Sequence, residues 1–242
     1  MKPDIILILI DSCNYRKIIS TETITPNIDR LIKNGVTFSN TTSVADATLL
    51  STTGLFTAMY PFKTGIRSPK NNKLNEDITT IFSILEKEGY ENYGYRPTLQ
   101  ENDDLFPNFR NDDDLYDVFT NMDDGLGKKI IRQLQKKGEK PRFFFIHPHD
   151  LHQPIVVSKE FDNEKFGIGN YERQAAALDS WLGKIIEQVE LENTLIVITG
   201  DHGSFVKSFS MNGKSVIEAD GLNQLRISKI SNNLPEFLDP IK

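Results

Sequence analysis

Cysteine is almost missing from this chain. Cys13 stands alone, so no internal disulfide can form, and a reducing compartment is compatible with that usage. Long hydrophobic runs are missing too. The N-terminal apolar run stops at Ile10 and meets Asp11 at once. It is too short for a signal-peptide core, and no run nears the roughly 18 residues of a membrane span. For the chain as given, the expectation is a cytoplasmic protein with no membrane segment. Positive charge is in short supply: 28 Lys and Arg face 34 Asp and Glu, a net charge of −6. That balance argues against nucleic acid as the partner. Internal repeats and low-complexity tracts are absent. Histidine occurs only four times, and those four residues carry much of the functional signal.

What is present fits one sizeable domain spanning 1–242. A chain of 242 residues with 38% hydrophobic content buries roughly 70–75% of its unfolded surface. Three apolar runs read as strands buried on both faces: Asp4–Ile10, Arg142–Ile146 and the run from Thr194 to Ile198. Each ends in residues that bind metals or move protons. The first runs into Asp11-Ser12, the second into His147-Pro148-His149-Asp150-Leu151-His152, the third into Gly200-Asp201-His202-Gly203. All four histidines therefore sit just past strand ends. In an open α/β sheet, ligands bind outside the carboxyl ends of the strands, where an Asp-His pair offers an oxygen and a nitrogen to a divalent ion. Taken alone, that dipeptide reads equally well as a capped turn.

The intervening segments fit an α/β alternation. Thr25 reads as an N-cap, Pro26 as the first helical residue and Gly35 as the stop, with Ile28, Leu31 and Ile32 on the apolar face. Val36–Phe38 reads as a short strand. Residues 48–58 read as a helix starting near Thr48. Its many Ser, Thr and Gly residues are poor helix formers, so a functional reason to keep small hydroxyls is expected there. Asp77 is the expected cap of a helix bearing Ile78, Ile81, Phe82 and Leu85 and ended by Gly89. A strand is expected at 93–95 and a basic amphipathic helix over 126–138. Tyr171, Ala175, Leu178, Leu182, Ile185 and Val189 recur at helical spacing, giving an amphipathic helix over 170–190. The acidic stretch 101–124 lacks periodicity and reads as a solvated insertion or lid. Its Asn111-Asp112-Asp113-Asp114-Leu115 lacks the spaced ligands of a calcium loop. Beyond Gly203, 204–242 is polar and irregular, a short C-terminal segment.

With these landmarks in place, the chain resembles the sulfatase branch of the alkaline phosphatase superfamily. Pro3–Asp11 is similar to that family's opening strand with its metal-binding acid. Thr25–Phe38 resembles the family pattern TPNLDRLAxxGVxF nearly residue for residue. Leu55–Pro61 with Thr64-Gly65-Ile66 resembles LLTGxYPxxxGI, Phe143–Pro154 resembles FFLxxxxxxPHxP, and Asn193–Gly203 resembles NTLVVxTSDHG. The likeness covers about residues 3–203. It implies an α/β fold: a three-layer αβα sandwich around a mostly parallel central sheet, alkaline phosphatase-like, with a short C-terminal part.

Departures from the pattern shape the expected function. Counting back from Tyr60-Pro61, the formylglycine position falls at Thr48, and Thr48–Thr52 contains no Cys, Pro or Arg. That argues against a formylglycine sulfatase. Threonine there resembles the phosphoethanolamine and phosphoglycerol transferases and the nucleotide phosphodiesterases of the superfamily, in which it is both nucleophile and metal ligand. The second acid of the family's Asp-Asp pair is Ser12 here, and no histidine follows His202. The resemblance therefore implies one divalent metal ion (Mn, Zn, Mg or Ca) held by Asp11, Thr48, Asp201 and His202, with His152 as the catalytic helper. Substrate contacts are expected from Lys214, Arg96 and His149, although His147 and His149 read equally as strand-end structural residues.

The chemistry also stands without the family. A threonine hydroxyl is a poor nucleophile until a metal or base activates it. At a helix N-terminus it faces N–H groups that suit an anionic ester oxygen, and a nearby histidine can protonate the leaving oxygen. The expected activity is a metal-dependent hydrolase or transferase acting on small-molecule or head-group phosphate esters, with sulfate esters second. The alternative is a degenerate domain that binds an anionic ligand or partner without catalysis.

Overall fold

The computed structural model describes residues 2–68, 73–100, 104–204, 208–211 and 214–218. The chain divides into two compact units, Met1–Gly203 and Ser204–Lys242. The first is built from β1 (Asp4–Ile10), α1 (Tyr15–Ile18), α2 (Pro26–Asn34), α3 (Thr48–Thr57), α4 (Ile81–Lys87), β2 (Glu91–Pro97), β3 (Leu115–Tyr116), α5 (Leu126–Leu134), β4 (Arg142–Ile146), α6 (Asn170–Ile186) and β5 (Thr194–Gly200). In the second, β6 (Ser208–Met211) pairs antiparallel with β7 (Lys214–Glu218).

The five strands of the first unit form one parallel sheet in the order β3-β2-β4-β1-β5. Alternation along β1 explains the layers, because successive side chains point to opposite faces. Ile6, Ile8 and Ile10 enter a core with Ile130 and Leu134 of α5 and Leu178, Trp181 and Leu182 of α6. Leu7 and Leu9 enter another with Phe56 of α3, Phe82 of α4 and Phe143 and Phe145 of β4. Each such side chain contributes about 1.5–3 kcal/mol through burial. Helices thus cover both faces, and the fold is the expected α/β sandwich. Gly127 makes the α5–α6 approach feasible: a Cβ there would lie 2.3 Å from the Trp181 ring.

Register sets the site. Ile8 lies beside Ile146 on one side and Ile198 on the other, and Ile10 lies beside Gly200. Asp11, His147 and Asp201 therefore leave the sheet at the same edge.

Several local expectations are corrected. Thr25 stands at the N-cap position of α2 as expected, but its side chain makes no cap bond, and its hydroxyl donates instead to the Ile18 carbonyl. The N-terminus of α2 is capped from across the fold by buried Asp179 of α6. Its carboxylate accepts from the Asn27 and Ile28 amides at 3.1 and 2.8 Å and from the Asn27 side chain at 2.9 Å. Thr80, not Asp77, caps α4, in a capping box with Ser83. Val36–Phe38 is not a strand, and both apolar side chains are exposed. The run β5 is not buried on both faces, since Leu195 and Val197 are 53% and 38% exposed. Within 104–124 the acids Asp104, Asp112, Asp113 and Asp117 are exposed, while apolar residues anchor the segment. Leu105 and Met122 are buried, Phe106 and Phe109 pack on the second core, and β3 joins the sheet. Two of its acids have partners on β2: Asp113 meets the Tyr95 hydroxyl and Asp114 meets Arg96.

Replacing Asp179 by Ala strands the first amides of α2 away from water. The expected cost is about 2–3 kcal/mol, by the scale of lost caps and unsatisfied buried donors, read as a lowered denaturation midpoint. An unchanged midpoint would mean that Asn27 and water cap the helix without it.

Candidate active site

Asp11 and Asp201 are each tied down through one oxygen and open through the other. Asp11 Oδ1 accepts the Ser12 hydroxyl at 2.7 Å. Asp201 Oδ1 accepts the Ser12 amide at 3.0 Å and the His202 amide at 2.7 Å. Ser12, in the place of the family's second acid, thus orients both carboxylates, and it does so from a left-handed conformation (φ 56°) that a non-glycine residue rarely keeps without function. Asp201 Oδ2 is buried without a partner. Burial opposes the charge of Asp201, but the neighbouring His147 and His202 rings and the His202 amide outweigh it and hold its carboxyl below the usual range.

Thr48 opens α3, and its Oγ1 lies 3.1 Å from Asp11 Oδ2 and 3.1 Å from His202 Nε2. The other small hydroxyls near that helix start have a structural task. Ser43 donates to the Asp201 carbonyl at 2.6 Å, and Ser51 donates to the same oxygen. These bonds fasten the end of β5 to the start of α3. Thr52, at the position where the family carries Arg, is fully buried and bonds back to the Thr48 carbonyl at 2.7 Å.

The histidines converge as well. His202 Nδ1 lies 2.8 Å from the Gly203 carbonyl, which only accepts, so Nδ1 carries the proton and Nε2 presents its lone pair to the cluster. His147 Nδ1 lies 3.1 Å from Gln100 Oε1, which leaves Nε2 3.9 Å from Asp11 Oδ2 and 3.8 Å from Asp201 Oδ2. His149 Nε2 lies 3.3 Å from Asp11 Oδ2. Burial and then the neighbouring His147 ring push the pKa of His149 down to about 3. The His152 ring stacks on His149 with centroids 5.2 Å apart.

A cavity of about 420 Å³ opens over this cluster. Thr48, His149 and His152 reach it, with Leu49, Leu50 and Leu99 as apolar wall and the exposed Arg67 at its rim. Cys13 lies close by but is inert: burial and then the Asp201 charge push its thiol up to about 12. Gly200 permits that closeness, since a Cβ there would meet Cys13 Cβ at 2.9 Å.

The structure therefore brings together Asp11, Thr48, Asp201, His202, His149 and His152. It does not bring Arg96 to the cavity. That side chain is buried, paired with Asp114 at 3.2 Å, donates to the Gln100 carbonyl and stacks on Phe106 at 4.8 Å. Lys214 stands on β7 of the second unit, and its side chain lies outside the described residues. The sequence reading missed Arg67, which carries no spacing signal, and undervalued His147, whose His-x-His spacing at a strand end was the available cue.

The donor set fits a divalent ion. Asp11, Asp201 and His202 are buried, their donor atoms lie within 4.8 Å of one another, and Asp201 Oδ2 has no other partner. Carboxylate and imidazole together suit zinc or manganese. Among the described residues, no helix is long and apolar enough to cross a membrane.

Comparison with known proteins shows what the chain and its fold are similar to. Over 97 residues, 37% of this chain and 19% of the relative, the sequence is 36% identical to an N-acetylgalactosamine-6-O-sulfatase of Bacteroides thetaiotaomicron. The fold superposes on the phosphonate monoester hydrolase of Agrobacterium radiobacter with a TM-score of 0.65 at 14% identity, covering 88% of this chain and 66% of that one. It superposes on the lipoteichoic acid synthase LtaP of Listeria monocytogenes with a TM-score of 0.62 at 19% identity, covering 84% and 57%. An alkaline phosphatase superfamily protein of Vibrio parahaemolyticus gives 0.64 at 18% identity, covering 89% and 57%. The chain thus spans less than two thirds of the length of these relatives. The family model described as Sulfatase matches residues 3–229, and the chain belongs to the sulfatase family.

Proposed function

We propose that the protein transfers a phosphoryl-type group from a phosphate ester or diester, with Thr48 as nucleophile. The observation that carries this reading is the position of Thr48 Oγ1, 3.1 Å from both Asp11 Oδ2 and His202 Nε2 at the first residue of α3. Asp11, Thr48, Asp201 and His202 would hold a divalent ion. When bound, such an ion supplies Lewis-acid charge that favours the threonine alkoxide and neutralises ester oxygens.

The chain's own residues account for the rest. The Thr48 hydroxyl proton leaves toward the Asp11 carboxylate, which accepts it at 3.1 Å. The Oγ1–P bond forms as the bond from phosphorus to the leaving oxygen breaks. His152, in the cavity wall, gives that oxygen its proton. Arg67 at the rim faces the non-bridging oxygens, a cation from a different element than the one that Thr52 replaces. The wall of Leu49, Leu50 and Leu99 favours an apolar leaving alcohol, aryl or alkyl, over a bare sugar. Water or a second hydroxyl then takes the group from Thr48.

The test is turnover of an aryl phosphodiester, an aryl phosphate and an aryl sulfate, each with Mn²⁺, Zn²⁺ or Mg²⁺. Diester or monoester turnover well above sulfate turnover is the expected result. Preferential sulfate turnover would overturn the phosphate reading. Metal binding with no turnover of any ester would favour the anion-binding alternative.

A further inference from the structure

His147 and His149 are excess to a one-metal site. Both rings are buried, His147 fully and His149 to 5% exposure. His147 Nε2 and both ring nitrogens of His149 lack any hydrogen-bond partner. An imidazole nitrogen buried without a partner loses its hydration and gains no bond in return, so the two Nε2 atoms that meet at one carboxylate oxygen call for an explanation. They face Asp11 Oδ2, at 3.3 Å from His149 Nε2 and 3.9 Å from His147 Nε2. Two donors bound tetrahedrally at about 2.0–2.1 Å from one zinc ion stand about 3.4 Å apart. His149 and Asp11 meet that spacing as they are, and His147 needs a movement of a few tenths of an ångström.

We infer that Asp11, His147 and His149 form a second divalent-cation site, so that the protein carries a two-metal centre bridged by the Asp11 carboxylate. The inference rests on the reading of Asp11 as a metal ligand. The donor atoms of Asp11, His147 and His149 lie within 4.8 Å of one another, as do those of Asp11, Asp201 and His202, and the two groups share only Asp11. A single ion taking both groups and Thr48 would have six protein donors and no open position for an ester. Divided between two ions, the same donors leave coordination free on each. Two nitrogens and one carboxylate oxygen favour zinc. Gln100 orients the His147 ring through Nδ1, as outer-shell partners of metal-bound histidines do. The charge argues in the same direction. Two ions against the carboxylates of Asp11 and Asp201 leave a net charge of about +2 in the cluster, which suits a phosphate ester dianion better than a sulfate monoanion.

The test is metal stoichiometry. Protein saturated with Zn²⁺ and freed of excess by gel filtration is expected to retain two zinc ions per chain, and His149→Ala one. A Mn²⁺-loaded sample of the unaltered protein is expected to show the exchange-coupled spectrum of a bridged pair by electron paramagnetic resonance, a readout that needs no variant to fold. One zinc per chain, uncoupled Mn²⁺, and loss of that ion in Asp201→Ala but not in His149→Ala would overturn the second site and leave the active-site reading standing. Failure to retain any zinc would remove both.

Discussion

An Asp11→Asn variant is expected to lose the response of the protein to metal altogether. Unaltered protein at a metal concentration a hundredfold above its dissociation constant gains about 2.7 kcal/mol. For a chain of this size that is a rise of about 5–10 °C in the melting midpoint. Asp11 Oδ2 faces Thr48, His149 and His147 together, so one substitution removes the donor that both halves of the cluster share. Asn keeps the volume and an oxygen for the Ser12 hydroxyl, but a neutral amide is a far weaker ligand than a carboxylate. The metal-free variant should melt close to the metal-free parent, because removing one of two neighbouring buried carboxylates offsets the bonds that are weakened. The control is Asp4→Asn, at the opposite end of the same strand, where Asp4 pairs with Arg142 at 2.7 Å. That change lowers the midpoint with and without metal and leaves the metal-induced rise intact. A full metal response in Asp11→Asn would mean that the ion sits elsewhere.

Much of this was legible in the sequence, for identifiable reasons. The strand β1 announces itself because both of its faces are covered, so its apolar run is unbroken and ends in a functional acid. The helix α6 is long enough for its period to show. What escaped notice depends on contacts between distant parts of the chain. The cap of α2 comes from Asp179, about 150 positions away, and no local pattern can reveal it. The acidic stretch hid its buried Leu105 and Met122 because charge count outweighs a few scattered apolar residues. The apolar run of β5 looked doubly buried, yet Leu195 and Val197 are exposed: composition records that a strand is apolar, not which neighbours cover it. The same limit applied at the site. Asp11, Thr48, Asp201 and His202 were visible as strand-end and helix-start residues of the right types. The convergence of His147 and His149 was not, because the turn after β4 decides which ring nitrogens approach Asp11. Arg96 looked available as a cation, and its burial between Asp114 and two phenyl rings arises only in three dimensions.

Thr48→Ala is expected to lower phosphodiester turnover roughly 10³-fold or more, the scale on which removal of a covalent nucleophile acts. The variant should fold normally. Thr48 is the first residue of α3, its side chain makes no cap bond there, and alanine is the better helix former. Asp11, Asp201 and His202 remain, so the metal-induced rise in melting midpoint should be largely preserved. That separates loss of the nucleophile from loss of the metal. Thr48→Ser supplies the complementary reading: it restores the hydroxyl without the methyl and should recover a substantial share of turnover. If the threonine forms a covalent intermediate, the unaltered protein quenched during turnover carries a phosphoryl adduct on the peptide spanning Thr48, visible by mass spectrometry, and His152→Ala slows its appearance. Turnover of Thr48→Ala at the parent rate would instead make water the attacking group. The hydroxyl 3.1 Å from Asp11 and His202 would then be an orienting group only.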